Sequence, residues 1–82
     1  MRAVEITQEP VELYKILKFE GMVGSGGEAK AAIAAGQVRV NGQIEMQKRK
    51  QIVSGDIIEF AAEKIRIQLK QGSSSGLNEP SA

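Results

Sequence analysis

Residues 24–42, reading GSGGEAKAAIAAGQVRVNG, constrain this chain more than any other stretch. Ser25 stands three residues before Glu28, just ahead of the apolar positions Ala29, Ala32 and Ile33. That is the spacing of a capping box, in which a hydroxyl and a carboxylate satisfy backbone N–H groups that a helix start leaves unpaired. A helix is therefore predicted over about 26–35. Gly36 provides a residue that tolerates the left-handed conformation ending such a helix, after which Gln37-Val38-Arg39-Val40 alternates polar and apolar. Asn41-Gly42 then has the composition of a two-residue hairpin turn.

The flanking sequence extends this helix, stop, strand and turn in both directions. Val4 and Ile6 alternate with polar neighbours and predict a short first strand. Glu9-Pro10 is expected to open a first helix, since proline is well placed in a first turn and Leu13, Ile16 and Leu17 fall on one stripe. Gly21 is expected to end it. The second helix is rich in alanine, so each side chain buries little area and Ile33 must supply much of the anchoring against the first. After the turn, Gln43-Ile44-Glu45-Met46 is expected as the return strand, followed by the basic run Lys48-Arg49-Lys50. Ile52-Val53 returns to the core, Ser54-Gly55-Asp56 turns, and Ile57-Ile58-Glu59-Phe60 is a further strand, with Phe60 expected in the core. Ile65 to Leu69 alternates most clearly and predicts a half-buried terminal strand. Residues 71–82 carry a Gly-Ser-Ser-Ser-Gly linker composition and are expected to be a disordered tail beyond a single domain over 1–70.

With 82 residues, one small domain is the expectation. The chain contains no cysteine and no histidine, which removes disulfides, thiol nucleophiles, imidazole bases and the common zinc ligand sets together. No cofactor is expected. Gly21 to Gly26 has the first spacing of a phosphate-binding loop, but Gly27-Glu28 follows where Lys-Ser or Lys-Thr is required. Gly24-x-Gly26-x-x-Ala29 follows a helix and not a strand, so a dinucleotide site is dismissed as well. No stretch approaches the ~18 apolar residues of a membrane span, and a cytoplasmic monomer is expected. A net charge of +1 argues for no partner by itself, so only a local cluster could recognise an anion.

The order just derived, with Gly21, Ser25, Ala29-Lys30, Ile33, Gly36, Val38, Val40-Asn41-Gly42 and Gly55-Asp56 in their places, resembles the S4 RNA-binding domain. The closer likeness is to the small stand-alone S4-like proteins of bacteria. It spans about 12–60. The resemblance implies an α+β fold with the αL motif, two packed helices followed by a small antiparallel sheet built on a hairpin, with short strands at both ends. Many S4 domains carry Ser-Arg where this chain has Ser25-Gly26, the arginine being expected to face RNA phosphates; the stand-alone proteins are similar to this chain in having Ser-Gly.

Lys48, Arg49 and Lys50 read from the residues alone as either a solvated basic loop or a phosphate-binding one. The resemblance favours RNA, because an S4-like fold sets this loop beside the start of the second helix. Ser25 and the glycines around it could admit a phosphate at a helix start, but a capped turn explains them as well. Lys30 matches the basic position after alanine in the S4 pattern. Arg39 faces away from the flanking valines, and Lys15 and Lys18 lie on the first helix. Asn41 could donate to a phosphate, although its turn position already accounts for it. With aromatic residues only at Tyr14, Phe19 and Phe60, a platform for stacking single-stranded bases is missing. The function expected is non-catalytic binding of structured RNA, ribosomal or transfer RNA by resemblance, through backbone phosphates. The alternative is a protein-interaction module on the same scaffold.

Overall fold

The computed structural model describes residues 1–70; the expectation of a disordered tail over 71–82 lies outside the described residues. The chain runs β1 (Arg2–Ile6), β2 (Val11–Glu12), α1 (Leu13–Phe19), α2 (Gly26–Ala34), β3 (Val38–Val40), β4 (Gln43–Ile44), β5 (Gln51–Ile52), β6 (Ile57–Phe60) and β7 (Glu63–Leu69). Five strands form one sheet in the order β1-β7-β6-β3-β4, and β2 pairs with β5 in a separate two-stranded ribbon.

The second helix begins as its sequence dictates. Ser25 Oγ accepts a hydrogen bond from Glu28 N at 3.1 Å, while the Glu28 carboxylate reaches back one residue further than the usual box, to Gly24 N. Both helices end alike. Gly21 (φ +70°) and Gly36 (φ +75°) are left-handed, and the doubled closing bonds run Gly21 N to Lys18 O with Met22 N to Leu17 O, then Gly36 N to Ile33 O with Gln37 N to Ala32 O.

Asn41 (φ 53°) and Gly42 (φ 83°) make the tight turn between β3 and β4, with Val40 opposite Gln43. The return strand is shorter than expected, ending at Ile44; Glu45 N still donates to Val38 O at 2.9 Å, but Gln47 N then turns back onto the Glu45 carboxylate. The first helix is also shorter than expected. Val11 and Glu12 pair antiparallel with Ile52 and Gln51, so the chain after Pro10 is a strand and the helix starts only at Leu13.

One pairing departs from the antiparallel pattern. β1 lies parallel to β7, from Arg2 opposite Ile65 to Ile6 opposite Leu69. Parallel neighbours need a long crossover, and here both helices and the hairpin lie between the two strands in sequence. The remaining pairs, β3 with β4, β3 with β6 and β6 with β7, are antiparallel.

A single cluster of buried side chains joins the layers. Leu13, Ile16 and Leu17 of α1 and Ala29, Ala32 and Ile33 of α2 pack with Val38, Val40, Ile58, Ile65 and Ile67 from one face of the sheet. Ile33 is fully buried among the small alanines, the anchoring role its isolation in the helix demands. Ile52 is buried as expected, whereas Val53, just past the end of β5, is 41% exposed. Phe60 is only partly buried, at the margin of the cluster.

Candidate nucleic-acid interface

The cationic loop is held against the start of α1 by its own backbone. Leu13 N donates to Lys50 O at 2.9 Å and Tyr14 N to Lys48 O at 3.1 Å, so loop carbonyls satisfy N–H groups that the helix start would otherwise leave open. The side chains of Lys48, Arg49 and Lys50 are thereby left exposed. The backbone of α1 thus fixes where the loop charges stand.

Tyr14 links that loop to α2. Its half-buried ring carries the Lys30 ammonium, 4.9 Å from the centroid. One turn along α1, the stem of Lys18 runs past Gly26 at the start of α2, 4.0 Å from where a β-carbon on that glycine would stand. These two crossings, Tyr14 with Lys30 and Lys18 with Gly26, show the helices packed antiparallel. Lys18, Lys30 and the 48–50 loop are consequently brought to one side of the molecule.

The carboxylate nearest this group is Glu12. It stands 3.4 Å from Lys15 and 3.9 Å from Arg49, the latter a long and 69% exposed contact that screening weakens further. Among the described residues Lys18, Lys30, Lys48 and Lys50 have no carboxylate within ion-pair distance; the remaining ion pairs join Arg2 to Glu20 and Glu63, and Lys64 to Glu59. A field of net positive sign therefore remains over the α1, α2 and loop surface.

Other sequence-predicted residues fall elsewhere. Arg39 lies between buried Val38 and Val40 and so projects from the sheet face opposite the helices, cross-strand from Glu59 and beside a shallow groove with Lys64. Asn41 is occupied within the fold: Nδ2 donates to Asp56 Oδ1 at 3.0 Å and Oδ1 accepts from Ile57 N at 2.9 Å. Ser25 is the cap of α2. Lys15 sits on the flank of α1 that turns toward β1. Tyr14 and Glu12 belong to the site although their sequence neighbourhood does not single them out. The four-residue spacings Tyr14 to Lys18 and Gly26 to Lys30 are the available signal, since each puts two residues on one helical face.

Two antiparallel, glycine-ended helices set before a hairpin, with a basic loop clamped to the first helix, define a small α+β module with one cationic side. The chain belongs to the S4 domain family, which it matches over residues 4–68. It is 47% identical over 57 residues to YbcJ of Escherichia coli strain K12, covering 70% of this chain and 81% of that protein, and equally to YbcJ of Shigella flexneri. The solution structure of Escherichia coli YbcJ, described as revealing an αL motif involved in RNA binding, superposes with a TM-score of 0.65 at 42% identity over 83% of this chain and 87% of that one. The 30S ribosomal protein S4e from Thermoplasma acidophilum superposes with a TM-score of 0.62 at 26% identity, over 73% of this chain and 32% of that one.

Proposed function

We propose that this protein binds structured RNA of the ribosomal or transfer type through its backbone phosphates, without catalysis, as a cytoplasmic monomer. The observation that carries the reading is the Lys30, Tyr14 and Lys48 connection, which ties α2, α1 and the basic loop into one cationic surface. Lys18, Lys30, Lys48, Arg49 and Lys50 are the phosphate contacts, with Lys15 at the margin. Lysine and arginine side chains on helices and a loop meet phosphates and position the molecule without reading bases.

Shape-based recognition fits the surface better than base stacking. The Tyr14 ring is half buried with one face taken by Lys30, and Phe60 is packed against the core. Phe19 is exposed but lies on the other flank of α1. Arg39 plays no part in this surface.

The test is fluorescence anisotropy of a labelled RNA hairpin and of a single strand of the same composition, across a range of salt. The hairpin is expected to bind more tightly. Lys48→Ala with Arg49→Ala is expected to weaken that binding and to flatten the salt slope by about one unit for each phosphate that is no longer neutralised. An unchanged slope in the double variant would remove the loop from the site.

A further inference from the structure

The basic loop leaves the sheet and returns to it at one neck. β4 follows the Asn41-Gly42 turn, the chain then passes Lys48, Arg49 and Lys50, and β5 leads back through Val53 to Asp56, directly before β6. Asn41 N donates to Ile57 O at 2.7 Å, so residues 42–56 form a surface loop whose two ends are joined. All three clustered cations lie on that loop.

Side chains fasten the same neck. The half-buried Asp56 carboxylate accepts two hydrogen bonds, from Asn41 Nδ2 at 3.0 Å on one oxygen and from Val53 N at 3.0 Å on the other. Asn41 Oδ1 in turn accepts from Ile57 N at 2.9 Å. Among the described residues no cation stands within ion-pair distance of Asp56, so its partners are Asn41 and the returning limb of the loop. Val53 follows β5 directly, and Lys50, just before β5, holds Leu13 N through its carbonyl. The Asp56 carboxylate thereby fixes the limb on which the cations return to the sheet.

We propose that Asn41 and Asp56 are positioning residues for phosphate binding: together they hold the loop so that Lys48, Arg49 and Lys50 stand on the side of Lys30, and neither touches RNA. The proposal rests on the RNA reading. The pair is complementary in its donors and acceptors. An asparagine at 56 has a single oxygen, so beside Asn41 one of the three bonds must be lost, while an aspartate at 41 would face Asp56 with no donor between them. Exchanging the two, Asn41→Asp with Asp56→Asn, supplies the same three bonds with one donor reversed and the net charge unchanged. Aspartate, like asparagine, tolerates the left-handed backbone of position 41 (φ 53°).

The charge of Asp56 separates positioning from bulk electrostatics. Asp56→Asn removes a carboxylate, so long-range attraction alone predicts tighter RNA binding. Positioning predicts the reverse. With the full chain, folded by circular dichroism at the temperature used, Asp56→Asn is expected to bind a labelled RNA hairpin more weakly and with a salt slope lower by about one. Asn41→Gly, which keeps both the net charge and the left-handed backbone, is expected to show the same loss, and the exchanged double variant to recover wild-type affinity and slope. A second readout needs no RNA: hydrogen exchange at the Leu13 and Tyr14 amides, which donate to the loop, is expected to quicken in both single variants and to slow again in the exchanged one. Unchanged or tighter RNA binding by the folded single variants, wild-type exchange rates at those two amides, or an exchanged variant as weak as the single ones would overturn the proposal and leave the RNA reading standing. Absence of salt-dependent binding by the wild-type chain would overturn both.

Discussion

The Lys30 ammonium rests 4.9 Å from the centroid of the Tyr14 ring, so one contact both pins α2 to α1 and fixes the position of a cation. At a partly exposed site such a contact contributes about 0.5–1 kcal/mol, which makes Lys30 a modest structural element besides the phosphate contact proposed for it. Lys30→Gln is expected to lower RNA-hairpin affinity and to reduce the salt slope by about one. Arg39→Gln, on the opposite sheet face, is expected to change neither. Anisotropy titrations of both variants at several salt concentrations decide it, and equal losses of affinity would mean that the two residues share a surface after all.

Glu12 shares its carboxylate between Lys15 and Arg49. Removing its charge leaves both cations to meet phosphate, so Glu12→Gln is expected to tighten RNA binding and to steepen its salt dependence. Surface ion pairs of this kind are worth about 0–1 kcal/mol, and the urea midpoint is expected to move little. Weaker RNA binding in this variant would show that Glu12 positions the loop and does not merely neutralise it.

Gly26 offers a second gain. A β-carbon there meets only the stem of Lys18, at 4.0 Å, an ordinary contact. Gly26→Arg, restoring the Ser-Arg pair found in many S4 domains, is expected to fold and to engage one further phosphate, raising the salt slope by about one. Gly26 is the first residue of α2, where a cation opposes the helix dipole, so no gain in stability is expected. A folded variant with unaltered RNA affinity would place the start of α2 outside the interface.

The turn between β6 and β7 is strained. Ala61 (φ 52°) and Ala62 (φ 67°) both occupy the left-handed region, where an ordinary residue costs about 1–2 kcal/mol. Asn-Gly suits such a two-residue turn, as Asn41-Gly42 already shows in the other hairpin. Ala61→Asn combined with Ala62→Gly is expected to raise unfolding stability by about 1–2 kcal/mol in a urea titration with RNA binding unchanged. A lower midpoint would contradict the strained-turn account.

The local elements whose causes lie within a few residues are legible in the chain itself. Ser25 with Glu28, the two glycine helix ends, Asn41-Gly42 and the alternation of Ile65 to Leu69 each carry their own short-range reason, and each stands where expected. The first helix is shorter than its local sequence predicts because Pro10 suits a helix start equally well in isolation. Only the pairing of Val11 with Ile52, forty-one residues away, makes that segment a strand. The parallel alignment of β1 with β7 is illegible for the same reason, since periodicity marks a strand but not its neighbour.

The candidate site divides along the same line. Sequence by itself determined which residues carry charge, which faces of helix and strand they occupy, and that histidine and cysteine chemistry is absent. Tertiary structure alone decided that Lys18, Lys30 and the 48–50 loop share one side, that Arg39 is set apart beyond the sheet, and that Asn41 and Ser25 serve the fold. Periodicity assigns a side chain to a face, but which faces meet depends on helix packing and strand order, and those are set by contacts between residues far apart in the chain.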